Sequence, residues 1–156
     1  MKRTSTIHAF FETAMRQAGA VALRWRLSPG RWSALTVVVG DARKHLAALI
    51  ALDHEAALRE ARACGAKAGT VEALCVDPVF LDRIGHAVDE VNRGLASYET
   101  IKKFRLLPVE FAIESGELTP TLKLRRKAVN ERFAREIEEL FGEPAAAAAR
   151  DLLVRR

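Results

Sequence analysis

The sequence predicts an α+β fold: a small three-stranded, mainly antiparallel sheet packed by helices, with an additional N-terminal helix. Two observations lead to this class. The segment "LTVVVGDARKHLAALIAL" places two aliphatic runs around a turn, and two amphipathic helical stripes follow it later in the chain. A length of 156 residues suits one domain and allows a core of useful size to be buried.

The first 36 residues carry one helical stripe and little else. Apolar side chains recur there at helical spacing, which predicts an amphipathic helix over residues 6–18 that ends at Gly19. "AVALRW" then predicts a short strand, and "SPGRW" a turn. The members of the helical stripe are Ile7, Phe10, Phe11, Ala14, Met15 and Ala18.

The aliphatic hairpin is the strongest local signal. Gly40 and Asp41 mark its turn, and its second run is almost continuously apolar, which is typical of a strand covered on both faces. Asp53 follows that run with the residue type preferred at a helix N-cap, so a helix is predicted over residues 55–63.

Two further helices have apolar stripes at spacings of three and four. Asp77 before Pro78 combines an N-cap with a proline at the first helical position and predicts a helix over 78–96. A last helix is predicted over 127–141, before an Ala-rich tail. The two stripes are Phe80, Ile84, Val88, Val91 and Leu95, and Val129, Phe133, Ile137, Leu140 and Phe141.

The segment between these helices contains the one candidate for chemistry. "FRLLPVEFAI" predicts an extended stretch that Pro108 interrupts, and "ESGE" predicts a turn. Polar and apolar residues then alternate, which places Thr119, Thr121 and Lys123 on one face. A lysine is suited to binding a phosphate or a carboxylate. Lysines on exposed strand faces are common, however, and the pattern alone favours a surface residue.

Composition excludes several classes. A net charge of +5 is compatible with anionic ligands but identifies none. Cys64 and Cys75 lack metal-ligand spacing and the four histidines are scattered, so no metal site is predicted and the cysteines are expected to be reduced thiols. Polar residues interrupt the N-terminal apolar stretch, so neither a signal peptide nor an integral membrane segment is predicted, and a cytoplasmic protein is expected.

The region from residue 97 to residue 141 resembles the C-terminal end of bacterial long-chain acyl-CoA synthetases, which are AMP-forming fatty-acid–CoA ligases. The stretch "LTPTLK" is similar to the last core motif of adenylate-forming enzymes, and Lys123 matches its terminal lysine. The resemblance implies that ATP and a fatty acid give an acyl-adenylate and pyrophosphate, and that CoA then displaces AMP. It also implies a catalytic role for Lys123 and nucleotide contacts for Thr119 and Thr121.

The resemblance divides the chain into three parts. Residues 1–36 resemble the extreme N-terminus of the same synthetases, residues 37–142 their C-terminal domain, and residues 143–156 form the Ala-rich tail. The large adenylation domain that separates the first two parts in the family has no counterpart, as after an internal deletion. The family implies ATP, Mg and CoA for a full-length enzyme, but this chain alone is expected to bind no cofactor.

Two functions therefore remain in view. The chain is either the lysine-bearing domain of a long-chain acyl-CoA ligase, inactive alone and working with an adenylation domain in trans, or a non-catalytic interaction module that docks on a synthetase or an acyl-carrier partner. Nucleic acid is disfavoured as a partner. The basic stretches "IKKFR" and "KLRRK" are interleaved with apolar positions, and they match no DNA- or RNA-binding motif.

Overall fold

The computed structural model of this chain describes residues 22–25, 34–41, 43–142 and 150–151. The helix predicted over 6–18 and most of the Ala-rich tail lie outside the described residues. The described strands are β1 (Ala22–Trp25), β2 (Ala34–Val39), β3 (Leu46–Leu52), β4 (Ile101–Leu107) and β5 (Arg150–Asp151). The described helices are α1 (His54–Cys64), α2 (Val71–Leu74), α3 (Pro78–Asn92), α4 (Arg126–Arg132) and α5 (Ala134–Phe141).

The described strands form one mixed sheet in the order β1-β2-β3-β4-β5. The α+β class is confirmed, and the three long strands β2, β3 and β4 make up most of the sheet. Two short strands, β1 and β5, are added at its edges. The strand directions also differ from the prediction, because β3 and β4 run parallel while the other neighbouring pairs are antiparallel. Parallel neighbours require a crossover connection, and α1, α2 and α3 supply it.

The hairpin between β2 and β3 forms as predicted, with Val39 opposite Ala47. Gly40 is required at the turn, because a Cβ atom there would lie 2.9 Å from the carbonyl oxygen of His45. The hairpin continues into the crossover through Asp53, whose side chain accepts a hydrogen bond of 2.8 Å from the backbone N–H of Ala56. The predicted N-cap of α1 is therefore confirmed.

Strand β3 is buried on both sides, as its apolar run predicts. Ala48, Ile50 and Leu52 point to a core under α1, α2 and α3, and we call this side of the sheet the helical face. Ala47, Leu49 and Ala51 alternate with them and point to a second core. That second side is covered by α4, α5 and part of the irregular segment 108–125, and we call it the loop face.

The helical face is closed by the long helix α3. Asp77 caps it by accepting the N–H groups of Val79 and Phe80 at 2.9 and 3.0 Å. Asn92 at its end exchanges two hydrogen bonds of 2.9 Å with the backbone of Ile101, which fixes the start of β4. The helix ends at Asn92, earlier than the predicted 96, and a 3-10 turn over Ser97–Glu99 follows.

The loop face is built from shorter pieces. The single helix predicted over 127–141 is divided at Phe133, whose backbone leaves helical geometry with φ −109° and ψ 26°. The ring of Phe133 lies 5.8 Å from that of Phe111, between ring centroids, so the break occurs where a long-range aromatic contact is made. The apolar stripe of Val129, Phe133 and Leu140 is nevertheless buried as predicted.

Candidate functional site

Lys123 lies in a tight hairpin on the loop face of the domain. Residues 117–125, which we call the lysine loop, are closed by one antiparallel bridge between Leu118 and Leu124. Within it, the N–H of Thr119 donates to the carbonyl of Lys123, and the N–H of Leu122 donates to the carbonyl of Thr119, both at 2.8 Å. The alternating pattern is thus folded into a turn, rather than extended as a strand.

The turn follows from its sequence, apart from one residue. Pro120 occupies the second position of the turn that the Thr119–Leu122 hydrogen bond closes, where the fixed φ of proline is favourable. Leu122 then adopts a left-handed backbone with φ 58°, a position normally given to glycine or asparagine. A bulky side chain in this region costs on the order of 1–3 kcal/mol, so the lysine loop is strained directly before Lys123.

The side chain of Lys123 is exposed. Among the described residues it makes no side-chain hydrogen bond or ion pair, whereas its backbone is fixed at both ends. Its N–H donates to Oγ1 of Thr119 at 3.0 Å. The lysine loop therefore presents an exposed cationic side chain on a hydrogen-bonded backbone.

The structure brings the three predicted site residues together, although not on one face of a strand. The hydroxyl oxygens of Thr119 and Thr121 lie 3.0 Å apart. Thr119 is half-buried, and its hydroxyl is engaged within the lysine loop, whereas Thr121 is exposed. Of the two threonines, Thr121 has the side chain more accessible to a ligand.

A buried carboxylate that the sequence does not single out lies at the base of the lysine loop. The side chain of Glu117 is 1% exposed. It accepts hydrogen bonds from the hydroxyl of Ser115, the guanidinium of Arg132 and, at 3.4 Å, the N–H of Ala112. Burial by itself raises the pKa of Glu117, but these three donors outweigh it, and the pKa lies below its ordinary value.

Two features of the sequence conceal Glu117. The alternating pattern places it on the same polar face as Thr119, which predicts exposure to solvent. Its partner Arg132 is 15 residues away and shares no local motif with it. The signal available is the sequence Gly116-Glu117: Gly116 adopts a φ of 89°, which turns the chain back towards the core.

A cleft of about 240 Å³ lies elsewhere on the loop face, between the β2–β3 turn and helices α4 and α5. Its charged lining residues are paired: Arg43 contacts Glu138, and Arg126 contacts Asp41 at 2.7 Å. The guanidinium of Arg43 also lies over the ring of Phe141, 5.0 Å from its centroid. These contacts fasten α4 and α5 to the hairpin, and Lys123 does not line the cleft.

The described residues contain no group of three or more His, Cys, Asp or Glu side chains placed to hold a metal ion. His54 lies with Nε2 3.3 Å from the carbonyl of Pro108, and His45 packs on Phe141 with 5.1 Å between ring centroids. Cys75 is buried, and this burial is the main cause that raises its pKa to about 11. In the part of the chain that is described, no helix is long and apolar enough to cross a bilayer.

Comparison with known proteins decides the family. Residues 33–145 match the family described as the AMP-binding enzyme C-terminal domain. The chain belongs to this family. The resemblance seen in the sequence is confirmed, and the matched region contains the lysine loop together with both faces of the sheet.

The relatives of the domain are fatty-acid–CoA ligases. The chain is 43% identical over 109 residues to the long-chain-fatty-acid–CoA ligase FadD15 of Mycobacterium tuberculosis. It is 35% identical over 105 residues to the putative fatty-acid–CoA ligase fadD11 of the same species. Both alignments cover 67% of this chain, and the chain spans 18% of the length of each ligase.

A solved structure shares the fold. It is the A domain of carboxylic acid reductase from Segniliparus rugosus, in complex with AMP and a co-purified carboxylic acid. The likeness covers 90% of this chain and 18% of that one, with a TM-score of 0.52 and 22% sequence identity.

Proposed function

We propose that this AMP-binding enzyme C-terminal domain serves a long-chain fatty-acid–CoA ligase, with Lys123 as the catalytic cation of the adenylation step. The exposed Lys123 side chain carries the proposal, since it has no partner among the described residues and stands on an ordered turn. A lysine that acts in the active site of another domain has to be free of partners in its own domain.

The chemistry requires a cation between two anions. In adenylation, a carboxylate oxygen forms a bond to the α-phosphorus of ATP, and the bond from that phosphorus to the oxygen of the leaving pyrophosphate breaks. An ammonium group that contacts both the carboxylate and the α-phosphate holds the two like-charged reactants together and offsets the charge that develops between them. Thr121, and to a smaller extent Thr119, are proposed to contact the nucleotide beside it.

The remaining parts of the reaction are proposed to come from an adenylation domain in trans. A single exposed lysine cannot bind ATP, a fatty acid and CoA, because such ligands need a concave site with many contacts. The small cleft on the loop face is lined by paired charges and lies apart from Lys123. We therefore expect the chain alone to form no acyl-adenylate.

Complementation in trans tests this function. A long-chain ligase would be shortened by the region that matches residues 33–145 and mixed with this chain, and ATP–pyrophosphate exchange would be measured with a fatty acid present. The wild-type chain should restore exchange, and Lys123→Ala should lower the restored rate by roughly a hundredfold or more. Lys127→Ala is the matched control, because Lys127 is a nearby lysine whose side chain is 90% exposed.

The outcomes separate the two functions. Restoration by wild type and by Lys127→Ala, but not by Lys123→Ala, supports the catalytic role. Tight binding to the shortened ligase without any restored exchange would favour a non-catalytic interaction module. Equal activity of Lys123→Ala and wild type would remove the lysine from the mechanism. Thioester formation from a supplied acyl-adenylate should be much less sensitive to Lys123→Ala than adenylation is.

A further inference from the structure

The carboxylate of Glu117 is almost fully removed from water, and it sits six residues before the proposed catalytic lysine. Its side chain is 1% exposed, although ionised carboxylates are rarely buried without a specific set of partners. An unpartnered charge at this depth would strongly destabilise the folded domain. The hydrogen bonds that Glu117 accepts must therefore be maintained whenever the domain is folded.

These hydrogen bonds join two separate segments of the chain. Oε2 accepts from Ser115 and from the N–H of Ala112, both in the turn that precedes the lysine loop. Oε1 accepts from Arg132, which lies on the last turn of α4. The side chain of Arg132 also covers the ring of Phe133, with its guanidinium carbon 5.2 Å from the ring centroid. Glu117 thus connects the entry of the lysine loop to a packed helix.

The main chain of the same residue closes the lysine loop. The N–H of Arg125 donates to the carbonyl of Glu117 at 2.7 Å, and the next residues, Leu118 and Leu124, form the bridge. Displacement of Glu117 would therefore loosen both strands of the hairpin. Since backbone strain persists only where the surrounding structure holds it, the left-handed Leu122 depends on this base.

We propose that Glu117 is a positioning residue for Lys123, acting through its bond to Arg132 to hold the base of the lysine loop against α4. The inference rests on the proposed function of Lys123. A catalytic cation that has to reach two anions in another domain must be placed accurately, and a misplacement of about 1 Å can cost a hundredfold in rate. Glu117 itself touches no reactant.

The test uses Glu117→Gln, which keeps the size of the side chain and removes its charge. Three amide protons report on the lysine loop directly: Thr119, Lys123 and Arg125, each of which donates a hydrogen bond within it. Their exchange with deuterium in the full-length chain should accelerate by about tenfold or more, the factor that a loss of 1.4 kcal/mol gives. If Glu117→Gln does not fold, Arg132→Gln is used instead, because it removes the same ion pair by changing the more exposed partner.

Glu139→Gln is the matched control. Glu139 is also a glutamate paired with arginine, here with Arg105 and Arg135, but its ion pairs tie α5 to β4 and neither partner belongs to the lysine loop. It should leave the three reporter amides within about threefold of wild type after correction for global stability. Equal acceleration in Glu139→Gln, or wild-type protection in both Glu117→Gln and Arg132→Gln, would overturn the positioning role.

The kinetic arm distinguishes positioning from a general loss of structure. In the complementation assay, Glu117→Gln should lower kcat of adenylation by about tenfold and leave KM for ATP within about twofold, as expected when the reacting group is misplaced but binding is kept. A raised KM with an unchanged kcat would contradict the proposal. If the wild-type chain restores no adenylation, the proposed function fails, and the amide exchange alone decides whether Glu117 holds the lysine loop.

Discussion

On the helical face of the sheet, α1 and α3 begin at Asp53 and Asp77, whose side chains accept backbone N–H groups. On the loop face, α4 and α5 begin without any side-chain cap. The helical face relies mainly on apolar burial, and Arg83 on α3 pairs with Glu60 on α1 at its edge.

The loop face is joined by longer-range charges. Among the described residues, four arginine–carboxylate pairs connect α4 or α5 to the β2–β3 turn, to β4 or to the lysine loop. They are Arg43–Glu138, Arg126–Asp41, Arg105–Glu139 and Arg132–Glu117.

This difference indicates that the two faces of one small domain have different roles. Capped helices over an apolar core give stability that depends little on orientation, since apolar burial is non-directional. Hydrogen-bonded ion pairs constrain the relative orientation of the segments that they join. The candidate site depends on such a constraint, because the side chain of Lys123 has to be aimed at its reactants. The irregular segment that bears Lys123 therefore lies on the face where polar contacts set the geometry.

Truncation of a buried aromatic side chain should give the largest loss of stability, and it should show whether the two faces of the sheet behave independently. Phe80 is 0% exposed on the helical face, and Phe133 is 6% exposed on the loop face. Phe80→Ala and Phe133→Ala should each lower the free energy of unfolding by about 3–5 kcal/mol in urea denaturation. Only Phe133→Ala should also accelerate amide exchange in the lysine loop, because Phe133 contacts Phe111 and Arg132. If Phe80→Ala loosens the lysine loop as strongly, the two faces are not separate.

Acid should weaken the loop face first. Hydrogen bonds to arginine are the largest cause that lowers the pKa of Glu139, and the pKa of Glu117 is lowered because its donors outweigh burial. Both carboxyls bind protons more tightly in the unfolded chain. Their stabilisation is therefore complete above the ordinary value of 4.5 and is lost as the pH falls through the lower folded values.

The double variant Glu117→Gln/Glu139→Gln should consequently be less stable than wild type at pH 7 and show a flatter decline of stability below pH 4.5. Urea unfolding at a series of pH values measures this. Glu114→Gln, an exposed glutamate next to the lysine loop, is the control and should follow the wild-type profile. An unchanged slope in the double variant would show that these ion pairs do not govern acid stability.

The smallest effect on stability is expected for substitution of the candidate catalytic residue, Lys123. Lys123 is exposed, and its side chain makes no hydrogen bond or ion pair with a described residue. Lys123→Ala should change the free energy of unfolding by no more than about 0.5 kcal/mol, the range of ordinary surface substitutions. A thermal or urea melt checks this. A loss of more than about 1 kcal/mol would show that the lysine has a structural role.

Local chemistry was sufficient to predict much of the domain. The Gly40 turn, the caps at Asp53 and Asp77, and the buried stripe of α3 each depend on residues within a few positions of one another. The exposure of Lys123 also follows from its immediate neighbours. The family resemblance could be recognised for the same reason, because "LTPTLK" is a motif of consecutive residues.

Contacts between distant residues decided the rest. The parallel pairing of β3 with β4 depends on the crossover and on Asn92 meeting Ile101, and the break at Phe133 coincides with its contact to Phe111. Burial of Glu117 requires Arg132 on another element, so a residue that looks solvent-facing by alternation becomes a buried anchor. A one-dimensional pattern records which side chains are polar, and only the folded chain determines which polar side chains find partners away from water.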